Sequence, residues 1–282
     1  SLVEKTLKTF DVPGIAVGII KDGRLIHGMG YGLRSLAGTE KVDTETLFGV
    51  ASNSKAFTCT ALGMLVEEGK LNWDSKVTDF IPSFRLYDPY VSDAFTVRDL
   101  LTHRSGLGLG AGDLMFFPDS NNFTKKEIIH NMRHLKQVSS FRTKFDYDNL
   151  LYLVAGEVIE VVSGMSWENF VEKRIMEPLG MKSSAGSYRR LPDSRNIVAP
   201  HAPVEGKVVP IRRDWSENAN AAGGIYSNIT DLSKWVLAQL NEGRYGTDLT
   251  KKLFKPETQD EMWTIQTVIP TSGPSPYNTH FG

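Results

Sequence analysis

Within Ala51-Ser52-Asn53-Ser54-Lys55-Ala56-Phe57 a serine hydroxyl and a lysine amine stand three residues apart, a spacing that puts both side chains on one face of a helix. An amine that accepts the serine's proton turns the hydroxyl into a nucleophile toward carbonyl carbon. The plainer reading is that Ser52 only caps the helix that follows, the commonest role of a serine at a helix N-terminus. Lys55 argues against that reading. A capping box takes Glu or Gln at its third position, and the positive end of the helix dipole disfavours a cation there. The same dipole, together with burial, favours the neutral form of an amine, which can take the hydroxyl proton, and it also favours a developing oxyanion. Ser52 and Lys55 form the only Ser-x-x-Lys pair in the chain.

A second constellation is Tyr147-Asp148-Asn149. An extended i, i+2 geometry aims the phenol and the amide the same way, so Tyr147 can relay a proton and Asn149 can orient a substrate amide. The competing reading has Asn149 capping the next helix and Tyr147 packing at its edge. Other chemistries find less support. There is no Gly-x-Ser-x-Gly elbow, no Gly-x-x-x-x-Gly-Lys-Ser/Thr loop and no His-Glu-x-x-His. The glycines Gly106, Gly108, Gly110 and Gly112 follow a short helical pattern and not a strand, so they do not read as a dinucleotide loop. His130 and His134 are four apart but lack a third ligand nearby, and read as a solvated helix face. No metal or organic cofactor is implied.

The elements that must position these groups follow from periodicity. Residues 4–10 read as the end of an amphipathic helix, broken by Val12-Pro13-Gly14. Residues 15–20 and 24–30 then form an antiparallel pair closed by Asp22-Gly23. Phe57, Ala61, Met64, Leu65 and Glu68 recur with the helical period up to Gly69. Thr96 with Asp99, Thr124 with Glu127 and Asn228 with Asp231 mark further helix starts. Residues 150–162 are apolar on nearly every side, the pattern of a helix enclosed by others. Near the end, residues 253–259 read as a helix, 264–269 as a strand and 270–276 as an exposed connection. The expected class is therefore α+β, with residues 1–50 and 244–282 as a sheet region and 51–243 as a mainly helical region.

The bulk properties narrow the partners. A chain of 282 residues that is 40% hydrophobic and 23% charged can bury a large core. A net charge of −1 without a basic block argues against a nucleic-acid or anionic-membrane partner. Its apolar runs fall short of the roughly 20 residues that a membrane-spanning helix needs. The single cysteine, Cys59, cannot make an internal disulfide and suits core packing. No signal peptide is visible, although a removed one would leave the same sequence, so the residues themselves do not fix the compartment.

Taken in order, several stretches resemble the penicillin-recognising serine hydrolases, the branch of class C β-lactamases, D-alanyl-D-alanine peptidases, D-aminopeptidases and esterases. They are Val12-Pro-Gly-Ile-Ala-Val-Gly, Leu47-Phe-Gly-Val-Ala-Ser-Asn-Ser-Lys, Leu100-Leu-Thr-His-Arg-Ser-Gly-Leu, Phe145-Asp-Tyr-Asp-Asn, Glu177-Pro-Leu-Gly-Met and Ala222-Gly-Gly-Ile-Tyr-Ser. The resemblance implies a β-lactamase/transpeptidase-like fold, an antiparallel sheet flanked by helices and joined to a large helical region. It implies that Ser52 is acylated, that Lys55 is its base, that Tyr147 and Asn149 finish the proton relay and hold the substrate, and that Gly223 lines the pocket. It further implies a small-molecule or peptide substrate (D-amino-acid peptides, β-lactams or esters) and a periplasmic or secreted location. The family's third motif, Lys-Thr-Gly or His-Thr-Gly, is not found, and His280-Phe281-Gly282 matches an earlier strand of relatives better. The expectation is accordingly that the last sheet strands belong to a further C-terminal segment, and that the alternative to a hydrolase is a non-catalytic penicillin-binding or sensor-type protein, or an inactive truncated fragment, that acylates without turnover.

Overall fold

Asp22 and Gly23 have left-handed φ values of 50° and 72°, which lets a tight turn match the twist of the strands it joins. In the computed structural model, which describes residues 1–118, 120–270 and 280–281, they connect strand β1 (Gly14–Lys21) to the antiparallel strand β2 (Arg24–Gly32). The strands cross the next arm of chain closely: a Cβ on Gly30 would lie 2.2 Å from the Val42 carbonyl oxygen. Ahead of them, helix α1 (Leu2–Thr9) opens on a capping box between Ser1 and Glu4. It covers residues 4–9 of the segment that the sequence reads as the end of an amphipathic helix.

The core is helical. Helix α2 (Ser54–Glu67) packs against α3 (Leu150–Ser163), and in α3 Leu150, Leu151, Val154, Ala155, Val158 and Ile159 are completely buried. This is the enclosed helix that its all-round apolar sequence predicts. Gly156 lets α3 approach the short helix Asn220–Gly223, since a Cβ there would meet the Ala221 Cβ at 2.9 Å. Helix α4 (Ile229–Leu240) lies on the hairpin, with Ile229 over Gly18 and Gly28, and its Trp235 stacks on Phe57 of α2 at 3.9 Å. The side chains of Thr96, Thr124 and Asn228 each accept from the backbone N–H three residues on, as their patterns predict.

The C-terminal part differs from expectation. Helix α5 runs Pro256–Trp263, later than residues 253–259, because Pro256 supplies a preset φ for the first turn. Of the strand expected at 264–269, only Ile269 is paired; Ile269–Pro270 runs antiparallel to His280–Phe281. The connection at 271–276 and Gly282 lie outside the described residues. The other pairings are short, as in Phe48–Gly49 with Tyr226–Ser227. The helix carrying His130 ends at Asn131 and continues as a 3-10 turn, Met132–His134, so His130 and His134 do not share one α-helical face. Among the described residues no single helix is long and apolar enough to cross a membrane.

Candidate active site

Ser52 lies in a 3-10 turn, Ala51–Asn53, that leads directly into α2. Ala51 holds a left-handed φ of 47°, a conformation that costs a non-glycine residue about 1–2 kcal/mol, so the turn must be held by its surroundings. Two bonds do so: Val50 N–H donates to the Ile225 carbonyl at 2.9 Å, and Ile225 N–H donates to Ser54 Oγ at 3.0 Å. Asn53 occupies the cap position of α2 without a side-chain cap bond. The Ser52 hydroxyl instead faces two side chains. Its Oγ is 2.7 Å from the Tyr147 hydroxyl, and Lys55 Nζ donates to it at 3.2 Å.

Lys55 is buried on the first turn of α2. Its Nζ also donates to Asn149 Oδ1 and to the Ala222 carbonyl, both at 2.8 Å, so three oxygens surround it within hydrogen-bond distance. The Tyr147 and Tyr152 rings flank it, each centroid 5.0 Å from Nζ. Tyr152 is anchored by donating to the Leu101 carbonyl at 2.8 Å. Burial pushes its phenol well above the usual range, which keeps that donor neutral.

Tyr147 and Asn149 converge on Lys55 as an i, i+2 pair because a neighbour takes over the capping. Asn149 stands at the cap position of α3, yet its side chain makes no cap bond. Asp148 Oδ1 accepts the Leu151 N–H at 2.9 Å instead, freeing the Asn149 amide for Lys55 and, through Nδ2, for Asp113 Oδ2 at 2.9 Å. Burial pushes the Asp148 carboxyl up to about 7, with the Asp113 charge adding to the effect. The ring of His103 stacks on Tyr147, centroids 4.4 Å apart, and its Nδ1 accepts the Asp148 N–H at 3.2 Å. Burial, helped by the charge on Lys55, lowers His103 to about 4. An imidazole that accepts a backbone N–H and is uncharged at neutral pH packs beside the tyrosine without competing for protons.

Gly223 sits close to the turn that carries Ser52. A Cβ there would lie 2.7 Å from the Trp215 ring and 3.4 Å from the Ala51 carbonyl carbon. The structure thus gathers Ser52, Lys55, Tyr147 and Asn149 into one hydrogen-bonded group with Gly223 at its border. Asp113, His103, Tyr152 and the Ala222 carbonyl belong to the same cluster but were not singled out by spacing. His103, Tyr152 and Ala222 lay inside stretches already noticed for other reasons, and Asp113 directly follows the glycine run that ends at Gly112. Cys59, a turn beyond Lys55, has its thiol 3.7 Å from the Tyr152 hydroxyl, and burial pushes it up to about 11, the setting of an inert thiol.

Comparison with known proteins shows the family of the chain. The family model described as Beta-lactamase matches residues 1–271. An unguisins hydrolase of Aspergillus campestris is 28% identical over 291 residues, covering 97% of this chain and 51% of that protein. Penicillin-binding protein 4 of Amycolatopsis lactamdurans is 30% identical over 173 residues, covering 61% of this chain and 44% of that protein. Among solved structures, the octameric penicillin-binding protein homologue from Pyrococcus abyssi superposes with a TM-score of 0.79 at 28% identity, over 98% of this chain and 60% of that one. A putative beta-lactamase from Bacteroides dorei shares the fold, with a TM-score of 0.66 at 23% identity, over 94% of this chain and 68% of that one. The chain spans about half the length of the curated relatives it matches. Its helices and small antiparallel sheets are those of the α+β fold shared by β-lactamases and penicillin-binding proteins, and the chain belongs to the beta-lactamase family.

Proposed function

We propose that this chain is a serine hydrolase that passes through an acyl-enzyme on Ser52, acting on the carbonyl of an amide or ester: a D-amino-acid peptide, a β-lactam or a simple ester. The observation that carries this reading is the position of Ser52 Oγ, 2.7 Å from the Tyr147 hydroxyl and 3.2 Å from Lys55 Nζ. With Nζ as the free amine, its two N–H groups on Asn149 Oδ1 and the Ala222 carbonyl, attack of Oγ forms the ester bond while its proton passes to Nζ, directly or through the Tyr147 hydroxyl, and then to the leaving group as that bond breaks. Water then attacks the ester, giving its proton to the same amine, and Ser52 is regenerated. Asn149, adjoining both, holds the substrate amide, and Gly223 leaves room at the border of the pocket. The names of the relatives, a hydrolase and a penicillin-binding protein, support this class of chemistry without choosing the substrate.

The test is steady-state hydrolysis of p-nitrophenyl acetate and of benzylpenicillin by the chain and by Ser52→Ala. The reading predicts turnover of at least one probe that Ser52→Ala abolishes to background. Undiminished turnover in Ser52→Ala would contradict it. An adduct on Ser52 that forms and never clears would assign a penicillin-binding role in place of hydrolysis.

A further inference from the structure

The Asn149 side chain has an acceptor at one end and two donors at the other, and a half-turn of the amide exchanges them. Only one orientation suits Lys55, whose Nζ reaches Asn149 as a donor at 2.8 Å. Turned over, the amide would point N–H groups at N–H groups. Capping does not choose the orientation, because Asp148 performs it. The remaining contact does: Nδ2 donates to Asp113 Oδ2 at 2.9 Å, and an ionised carboxylate can only accept.

We propose that Asp113 is a positioning residue, whose carboxylate locks the Asn149 amide with Oδ1 toward Lys55 and thereby holds Lys55 beside Ser52. The inference deepens the proposed function and rests on Ser52 and Lys55 being the reacting pair. Its geometry is built into a tight segment of chain. Asp113 begins the 3-10 turn Asp113–Met115, with its own N–H bonded to the Gly110 carbonyl at 3.1 Å and its carbonyl accepting from Phe116 N–H at 2.8 Å. Gly112, at φ 76°, is wedged against the start of α3, where a Cβ would meet Leu150 Cδ1 at 2.4 Å. The turn that carries Asp113 is therefore seated on the helix that carries Asn149. The other carboxylate oxygen, Oδ1, is buried and has no hydrogen-bond partner among the described residues, so the bond to Asn149 is the directed contact that sets the carboxylate's role.

Two readouts on wild type, Asp113→Ala and Asp113→Asn test this. One is the hydrogen-exchange rate of the Asn149 side-chain amide in protein labelled with 15N-asparagine. The other is the rate constant for acylation of Ser52 by a neutral ester, p-nitrophenyl acetate. Asp113→Ala is expected to speed exchange of the Asn149 amide and to slow acylation by about tenfold or more, the scale of a lost hydrogen bond to a charged group. Asp113→Asn changes one atom, keeps an acceptor and adds a donor; it should recover part of the rate, lying between the other two, and it carries the comparison if Asp113→Ala does not fold. Unchanged amide exchange, or wild-type acylation in Asp113→Ala, would overturn the inference while leaving Ser52 as nucleophile. Loss confined to substrates bearing an amine, with Asn149 exchange unaltered, would overturn it in favour of direct substrate contact. Failure of the wild type to acylate at Ser52 would instead reject the reading of the site, and the inference with it.

Discussion

Lys55 donates to three acceptors, two of them at 2.8 Å, so its loss has two separable consequences. Lys55→Met fills most of the volume but leaves the Ala222 carbonyl and Asn149 Oδ1 without their donor, each at about 1–3 kcal/mol. Acylation of Ser52 should fall by roughly 10²–10⁴, the span of a positioned proton-transfer group, while urea denaturation registers the smaller structural cost. Asp148 and His103 make a sharper pH prediction. A carboxyl raised from 3.8 to about 7 binds its proton more tightly when folded, so it subtracts stability as pH rises across that window. His103, lowered from 6.5 to about 4, acts in the opposite sense and subtracts stability as pH falls through its own window. In Asp148→Asn the first effect disappears. Relative to wild type, this variant should therefore gain stability by a few kcal/mol between pH 4.5 and pH 7.5, measured by urea denaturation at both; a constant difference would contradict the burial assigned to Asp148. At this scale Ser52, Lys55, Tyr147 and Asn149 were legible because two short spacings carried them. Asp113 and the Ala222 carbonyl reach the group across long stretches of chain, and such contacts have no local signature.

Among the elements, α3 and the hairpin were legible for opposite reasons, one from an apolar run with no polar face and the other from a two-residue turn between apolar stretches. The capping of α3 was not. Either Asp148 or Asn149 could cap it by type, and only the demand of Lys55 for an acceptor decides between them. The helix near the C-terminus was displaced because Pro256 fixes its start. Residues 264–269 imitate a strand in composition, yet Ile265 and Val268 are exposed by 68% and 55%, so their β-branched apolar character does not reflect burial. The close approach of α3 to Asn220–Gly223 at Gly156 also carries function, since that short helix supplies the Ala222 carbonyl to Lys55. Gly156→Val should push the two apart and destabilise the fold by about 1–3 kcal/mol. Acylation should also slow in protein that remains folded. Unchanged thermal stability would show that the contact is slack.

For the whole molecule, the buried helices and the hairpin differ in what holds them. Among the described residues, strands β1 and β2 form a two-stranded sheet with no third strand, and Ile19, Ile26 and Met29 remain about half exposed, at 48%, 50% and 49%. Two strands are marginal without further packing, whereas α2 and α3 are embedded in the core. Backbone amides of β1 and β2 should therefore exchange through local opening well before those of α2 and α3, which open only with the whole fold. Equal protection across both would show that the hairpin belongs to the same cooperative unit. The turn that carries Ser52 lies on the helical side of that division, so the acylation proposed for it should proceed on the protected part of the molecule. The central claim is that Ser52 forms a covalent acyl bond. Its most direct test is an intact-mass spectrum after exposure to benzylpenicillin or p-nitrophenyl acetate, followed by peptide mapping. One added acyl group per chain is expected, carried by the peptide containing Ser52 and missing in Ser52→Ala. Adduct on another residue, or unmodified Ser52 while either probe is being turned over, would contradict it.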